Sequence, residues 1–223
     1  MPNQRIMINI QTQPRSAIYL QDCIEGMKQY PDKHFDLAIV DPPYGIGVNH
    51  NIGRRKGDKP SNYKPAVWDN KPPTPEYFSE LFRVSKNQIV WGANHFISLM
   101  PKDSPCWIGW DKKFSDTITF AQFELAWTSF NTTCKKFECT SIQQHRIHPT
   151  QKPVALYEWL LHNYAKAGDL ILDTHLGSGS SRIAAYKNGF DFVGFEIDAD
   201  YYAAQEKRFQ TFIAQQGYQL GNF

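Results

Sequence analysis

Two short segments of the sequence, 35–41 ("FDLAIVD") and 169–173 ("DLILD"), are almost continuously apolar and end in an aspartate. A continuous apolar run is typical of a parallel strand that is covered on both faces, whereas a strand with one solvent face alternates. Similar runs at 17–22, 87–92 and 190–198 alternate with helical patterns along the chain. This alternation predicts an α/β fold with a doubly wound, mostly parallel sheet.

The size and composition of the chain are those of a globular protein. Its 223 residues, 41% of them hydrophobic, suffice for one sizeable α/β domain or two small ones, and without a repeat or a low-complexity tract we expect one domain over 1–223. The net charge of +2 says little about partners, because only a local cluster of charge could attract a polyanion. No segment has the pattern of a signal peptide or of a transmembrane helix, so we expect a cytoplasmic protein without membrane contact.

The cysteines are too few and too scattered for the disulfide scaffold of a secreted protein, and reduced thiols are expected. Cys134, Cys139, His145 and His148 follow one another with residue types that bind metals. The H-x-x-H step is short for a zinc finger, and His148 belongs to another motif. We therefore expect no metal site.

A long segment, 45–75, is rich in Gly, Pro, Asn and charged residues and has no sustained period, which predicts a loop. Long loops inside compact domains are usually functional or disordered. The loop carries a basic cluster that consists of Arg54, Arg55, Lys56 and Lys59. Two interpretations stay open: the cluster contacts the phosphates of a nucleic acid, or the loop is a solvated surface segment.

A glycine-rich turn lies within 172–189, "LDTHLGSGSSRIAAYKNG". Gly177 and Gly179 let the backbone turn sharply and approach a ligand, and the helix that follows directs its N-terminal amides into the same space. Glu196 ends the next strand, where an acidic group would accept hydrogen bonds from ribose hydroxyls. A dinucleotide site would have Gly or Ala in place of Arg182, and the pattern of a phosphate-binding loop is absent. A nucleoside ligand such as S-adenosylmethionine is favoured, although a turn that binds nothing has the same pattern.

Asp41, Pro42, Pro43 and Tyr44 follow the first apolar segment directly, at the edge of the sheet where ligands of α/β folds bind. Each proline fixes φ and lacks an N–H, so the backbone carbonyls are held at fixed angles. Asp41 and the Pro42 carbonyl could accept both hydrogens of an exocyclic amine, and Tyr44 could stack on the nucleobase. Such a base would have to be flipped out of a duplex. The alternative is a turn whose aspartate caps a neighbouring helix.

Three motifs together resemble those of the DNA amino-methyltransferases, which use S-adenosylmethionine to methylate adenine N6 or cytosine N4. They are "DPPYGIG" at 41–47, "HPTQKP" at 148–153 and "LDTHLGSGSS" at 172–181. Because the catalytic motif precedes the cofactor motif, the chain is similar to the beta-class, circularly permuted members, of a small phage- or prophage-like type. The resemblance covers about 17–215 and implies a Rossmann-like sheet of seven strands, in which the chain begins at the third strand and adds the first and second last.

The resemblance also implies roles for individual residues. The catalytic residues would be Asp41, Pro42, Pro43 and Tyr44. The cofactor-binding residues would be Asp22, Thr150, Gln151, Lys152, Asp173, His175, Leu176, Gly177, Ser178, Gly179, Glu196 and Ile197. Lys152 would pair with the carboxylate of the cofactor, since a buried carboxylate needs a cationic partner, although a lysine at a helix start can also be a surface residue. His175 stands where the family usually has Phe, and we expect it to pack on the adenosyl moiety.

The expected function is methylation of adenine N6 in double-stranded DNA, since Asp in the first position of the catalytic motif points to adenine more often than to cytosine. Three alternatives stay open: methylation of cytosine N4, methylation of adenine in RNA, and an inactive nucleic-acid-binding subunit of the same fold. No separate recognition domain fits between residues 45 and 148. Specificity is therefore expected from loops or from a second subunit, and a homodimer is possible.

Overall fold

All strands in the described part of the chain belong to one sheet. The computed structural model describes residues 13–47, 69, 71–113, 121–140 and 146–220. The strands are β1 (Ser16–Leu20), β2 (Phe35–Val40), β3 (Ser85–Trp91), β4 (Trp107–Asp111), β5 (Phe123–Thr128), β6 (Lys135–Glu138), β7 (Leu170–Asp173) and β8 (Asp191–Glu196). The α-helices are α1 (Cys23–Met27), α2 (Pro75–Val84), α3 (Val154–Tyr164), α4 (Ser180–Lys187) and α5 (Ala199–Leu220). Most of the predicted loop at 45–75 falls outside the described residues.

The sheet is doubly wound, with the strand order β1-β8-β7-β2-β3-β5-β4-β6. The first five strands in that order pair in parallel. Counted from β7 as the first strand, they read 3-2-1-4-5, which is the order of a doubly wound α/β fold. The chain begins at the third of these strands and adds the first and second near its end, which confirms the circularly permuted arrangement.

The rest of the sheet differs from the expected seven strands. β5 pairs antiparallel with both β3 and β4, and β6 adds an eighth strand, parallel to β4. The sequence of β6, "KKFE", has a single apolar residue, so its periodicity does not reveal a strand. Charged side chains on such an edge strand discourage pairing with another chain.

The two faces of the sheet carry separate hydrophobic cores. Along β2, Leu37 and Ile39 belong to a core shared with α3 and α4, whereas Ala38 and Val40 belong to a core shared with α1 and α2. This burial on both faces explains why successive positions of β2 are apolar. Among the described residues, no helix is long and apolar enough to cross a membrane.

Helix α4 is held against α5 by Arg182, the residue that stands in place of the last small residue of a dinucleotide fingerprint. Its guanidinium pairs with Glu206 at 2.6 Å and donates to Gln205 at 3.1 Å. The same group lies 3.6 Å from the centre of the Phe209 ring. Arg182 is buried and therefore stabilises the contact between the two helices.

We expect Arg182→Ala to lower the free energy of unfolding by about 2 to 3 kcal/mol, because it leaves Glu206 without its ion-pair partner and opens a cavity beside Phe209. The control is Lys187→Ala in the same helix, whose ion pair with Glu158 is partly exposed and should contribute about 0 to 1 kcal/mol. Urea denaturation at neutral pH measures both values. Equal losses in the two variants would contradict this role of Arg182.

Candidate functional site

The carboxyl ends of β7 and β2 open onto one cavity of about 340 Å³. The two strands are parallel neighbours, and the chain leaves them in opposite directions, since β7 leads to β8 and β2 leads to β3. Ligands of doubly wound folds bind at such a switch point. Asp41 after β2 and Gly177 after β7 both line the cavity, so two distant motifs meet in one site.

Most of the predicted site residues line this cavity. They are Asp22, Asp41, Pro43, Thr150, Gln151, Lys152, His175, Leu176, Gly177, Ser178, Glu196 and Ile197. The cavity is also lined by residues for which no site role was predicted: Gln21, Cys23, His148, Tyr157, Thr174, Asp198 and Tyr201. Pro42, Tyr44, Asp173 and Gly179 are not among the lining residues. The predicted DNA-binding residues Arg54, Arg55, Lys56 and Lys59 lie outside the described residues.

Hydrogen bonds to the end of β8 anchor the glycine turn. Gly177 and Gly179 have φ of 50° and 70°, a left-handed conformation that glycine adopts without strain. The Gly177 N–H donates to one oxygen of the Glu196 carboxylate at 2.8 Å, and the Asp198 N–H donates to the other at 2.9 Å. Burial raises the pKa of the Glu196 carboxyl. Each of its oxygens retains a lone pair for a donor in the cavity.

Asp173, which is not a lining residue, stabilises the glycine turn. Its carboxylate accepts hydrogen bonds from Ser181 Oγ at 2.5 Å and from the His175 N–H at 3.0 Å. Burial raises the pKa of this carboxyl to about 7. Asp173 thus ties the end of β7 to the first turn of α4.

His175 offers an uncharged aromatic ring to the cavity. Its ring centre lies 5.3 Å from that of Tyr77, and its Nε2 lies 3.9 Å from Cys23 Sγ. Burial lowers the pKa of His175 to about 4, so the imidazole carries no charge at neutral pH. It therefore matches in charge the Phe that the family usually has there. On the same side Asp22 caps α1 by accepting from the Ile24 N–H at 2.8 Å.

The segment "HPTQKP" covers the glycine turn through His148. A Cβ atom on Gly177 would lie 3.7 Å from the His148 ring, and the centre of this ring lies 4.3 Å from that of Tyr201 in α5. Burial lowers the pKa of His148 to about 3, so this ring is also uncharged. Its place at the start of a recognised motif was the signal that could have identified it.

Two hydrogen bonds from the protein hold Asp41. The Tyr44 hydroxyl donates to Oδ1 at 2.6 Å, and Lys152 Nζ donates to Oδ2 at 2.6 Å. Burial, together with the charge of Asp41, raises the pKa of Tyr44 well above its ordinary value, so the hydroxyl keeps its proton. An ionised carboxylate has about four lone-pair sites, and two therefore remain for other donors.

The Lys152 ammonium, predicted to pair with a ligand carboxylate, has two carboxylate partners within the protein. Besides Asp41 it contacts Glu124 Oε2 at 2.9 Å, and Glu124 also pairs with Lys112. Burial would lower the pKa of Lys152, but the charges of Asp41 and Glu124 outweigh burial and raise it. With its side chain 4% exposed, Lys152 is not a surface residue. We call these four residues (Asp41, Lys112, Glu124 and Lys152) the charged cluster.

Residues far from Tyr44 in sequence hold its ring and backbone. Asp69 Oδ1 accepts from the N–H groups of Tyr44 and Gly45 at 2.8 and 3.0 Å. Gly92, after β3, leaves room for the ring, since a Cβ atom there would lie 2.0 Å from it. The His95 ring stacks on Tyr44, with 5.0 Å between centres and 16° between planes. None of these contacts has a signal in the local sequence.

The metal-binding residue types considered in the sequence have other partners. Cys134 donates to the Pro105 carbonyl and Cys139 to the Thr140 carbonyl, while His145 lies outside the described residues. Within the part of the chain that the structure describes, no three His, Cys, Asp or Glu side chains are grouped to hold a metal ion.

The chain is similar in sequence to DNA methylases. A family model of the N6/N4 type, described as DNA methylase, matches residues 66–207. The protein named putative methylase YubD of Escherichia coli strain K12 is 25% identical, in a match that covers 84% of this chain and 87% of that protein. The type II methyltransferase M.HinfI of Haemophilus influenzae is 24% identical, in a match that covers 86% of this chain and 68% of the relative.

Solved structures share the fold. The M1.HpyAVI–SAM complex has a TM-score of 0.55 and 22% identity, and the match covers 86% of this chain and 98% of that one. The cytosine-N4-specific PvuII DNA methyltransferase has a TM-score of 0.63 and 12% identity, with 89% and 87% covered. These two likenesses show the fold, while the family match extends over more than half of the chain. The chain therefore belongs to the N6/N4 DNA methylase family.

Proposed function

We propose that the chain transfers the methyl group of S-adenosylmethionine to N6 of an adenine flipped out of double-stranded DNA. The observation that carries the proposal is that Asp41 and the glycine turn line the same cavity. A methyl donor bound at the glycine turn and a target amine held by Asp41 would meet in this cavity without rearrangement of the sheet. Bringing two reactants together in a fixed geometry supplies a large part of catalysis.

The residues on the β7 and β8 side of the cavity fit S-adenosylmethionine. Glu196 has lone pairs for ribose hydroxyls, and the turn at Gly177 leaves space because no side chain projects from it. Leu176, Ile197 and the uncharged His175 offer apolar and aromatic surface for the adenine ring. When bound, the cofactor supplies an activated methyl group, whose bond to a positively charged sulfur breaks as the new nitrogen–carbon bond forms. The methionine end would lie at Thr150, Gln151 and Lys152.

Asp41 and its neighbours would orient the target amine, which receives the methyl group. The free lone pairs of Asp41 and the Pro42 carbonyl can accept the two N–H hydrogens, which directs the nitrogen lone pair away from them. Pro42 and Pro43 restrict the backbone that carries these acceptors. After alkylation the nitrogen is acidic, so Asp41 can accept its proton without being a strong base.

Tyr44 would provide the stacking surface for the flipped base. Its backbone is held by Asp69 and its ring lies against Gly92, so the ring is positioned before DNA binds, and the flipped base would take the place of the His95 ring that stacks on it in this structure. An aromatic face of this kind stabilises an extruded base through stacking, which offsets part of the cost of removing it from the duplex.

Further proposed contacts are those with DNA and with a second subunit. Arg54, Arg55, Lys56 and Lys59 would contact the phosphates of DNA, which positions the protein but carries no sequence information. Loops, or a second subunit in a homodimer, would read the sequence, and the enzyme would act in the cytoplasm of a bacterium or a phage-infected cell.

Asp41→Ala should lower kcat by at least about a thousandfold, because the amine loses the group that orients it. The affinity for S-adenosylmethionine, measured by calorimetry, should change little. Asp41→Asn is the matched variant, since it keeps the size of the side chain but replaces an acceptor with a donor, and it should be similarly impaired. Transfer of labelled methyl groups to DNA at the wild-type rate by either variant would refute the assignment of Asp41.

Methylated DNA, digested to nucleosides and analysed by mass spectrometry, should contain N6-methyldeoxyadenosine. RNA of the same sequence should accept no methyl groups under the same conditions. N4-methyldeoxycytidine in the digest would refute the choice of adenine, and methylated RNA would refute the choice of DNA.

Gly92→Ala should lower kcat by at least about tenfold, because the new methyl group displaces the Tyr44 ring. The control is Gly189→Ala, since Gly92 and Gly189 have similar φ of 69° and 77° but no atom lies near a Cβ at Gly189. Both substitutions impose backbone strain of about 1 to 2 kcal/mol, and Gly92→Ala should cost more stability than Gly189→Ala because its methyl group also meets the Tyr44 ring. Equal kcat values in the two variants would argue against a role for the Tyr44 position.

A further inference from the structure

Glu124 is an acidic residue outside the three motifs and outside the cavity lining. It lies near the start of β5 and pairs in register with Trp110 of β4. Because β5 runs antiparallel to β3, its amino end reaches the edge of the sheet at which β2, β3 and β7 have their carboxyl ends. The antiparallel part of the sheet thus brings an acidic side chain to the proposed catalytic residues.

The two oxygens of Glu124 contact two different ammonium groups. Oε2 lies 2.9 Å from Lys152 Nζ, and Oε1 contacts Lys112 Nζ. Lys152 Nζ in turn donates to Asp41 Oδ2 at 2.6 Å. Lys152 therefore bridges Glu124 of β5 and Asp41, which directly follows β2, and these two strands lie on the two sides of β3.

The charges of the charged cluster balance, with two carboxylates and two ammonium groups. The side chains of Lys152 and Lys112 are 4% and 8% exposed, and those of Asp41 and Glu124 are 17% and 19% exposed. An unpaired charge in such surroundings is costly, so each group depends on its opposite partners. Burial disfavours ionisation of Glu124, but Lys152 and Lys112 outweigh burial and lower its pKa to about 2. Glu124 is therefore ionised at neutral pH.

We propose that Glu124 is a positioning residue for methyl transfer, which shares the Lys152 ammonium with Asp41 so that Asp41 is oriented but remains a strong hydrogen-bond acceptor. This role rests on the proposed function, in which Asp41 holds the target amine. Without the charge of Glu124, the ammonium would be left with Asp41 as its carboxylate partner in the cluster and would bind it more closely. The lone pairs that the amine needs would then be less available.

A purely structural role for Glu124 would predict different effects of substitution. Such a role would depend on the length and shape of the side chain, and its loss would weaken folding and substrate binding together with kcat. The positioning role depends on the negative charge, acts through Lys152 and concerns the transfer step.

The test compares Glu124→Gln and Glu124→Asp with Glu138→Gln, a control at an exposed acid of β6 that pairs with Lys113 and Lys136. In Glu124→Gln, kcat for DNA methylation should fall at least about tenfold, with KM for S-adenosylmethionine within about threefold of the wild type. Glu124→Asp keeps the charge and should lie between the wild type and Glu124→Gln. Glu138→Gln should match the wild type. A wild-type kcat in Glu124→Gln, or a Glu124→Asp variant no better than Glu124→Gln, would overturn the proposal.

Lys152→Met tests whether the effect passes through the lysine. If it does, adding Glu124→Gln to Lys152→Met should lower kcat no further, because the interaction that Glu124 controls is already absent. A double variant whose loss equals the product of the two single losses would show that Glu124 acts independently of Lys152, and would overturn the proposal.

A measurement on the lysine itself separates this role from the proposed function. The titratable groups near Lys152 or near its two carboxylate partners are Asp41, Tyr44, Tyr77, Lys112, Glu124, His148, Tyr157 and Asp173. NMR titration of lysines labelled with carbon-13 at Cε reports the ammonium, and Lys152→Met identifies the signal. Loss of one carboxylate should move the Lys152 midpoint to lower pH in Glu124→Gln but not in Glu138→Gln. An unchanged midpoint overturns the role of Glu124 even in an active enzyme, whereas a wild-type chain that methylates no DNA overturns the proposed function.

Discussion

The parallel pairing of β2 with β7 is the constraint on which the site depends. Leu37 lies opposite Ile171 and Ala38 opposite Leu172, so the turns that follow the two strands emerge side by side. Burial on both faces fixes this register, since a slip by one residue would move the side chains that face one core to the face of the other core. The permutation changes the order of the strands along the chain but not their order in the sheet. The site therefore forms although its two motifs are far apart in sequence.

Around this strand pair, one side of the site has uncharged imidazoles beside the Glu196 carboxylate, and the other side has the charged cluster. Next to the glycine turn, His148 and His175 are buried with lowered pKa values and carry no charge at neutral pH. Next to Asp41, the charged cluster holds two acids and two lysines that depend on one another. A nucleoside with apolar and aromatic contacts suits the first side, and an amine that needs acceptors suits the second. The two chemistries are kept apart by the sheet, which places them on different strands.

Local patterns in the sequence predicted much of this arrangement. The continuous apolar runs predicted buried parallel strands, and β2 and β7 confirm them. The order of the motifs predicted the permutation, which the strand order confirms. Prediction failed at β6, because an edge strand of mostly charged residues has no apolar period. It also did not reveal the acidic neighbours of Lys152, because residue type alone cannot show that Asp41 and Glu124 lie beside its ammonium.

The sequence by itself determined the apolar strands, the glycine turn and the proline-containing segment after β2, since each depends on neighbours within a few residues. Only the tertiary structure decided which side chains support them. Asp69 on the Tyr44 backbone, Gly92 beside its ring and Glu124 beside Lys152 all act across long sequence separations. Their roles arise from strand pairing and chain folding, which bring distant segments within hydrogen-bonding and van der Waals distance and leave no periodic trace in the sequence.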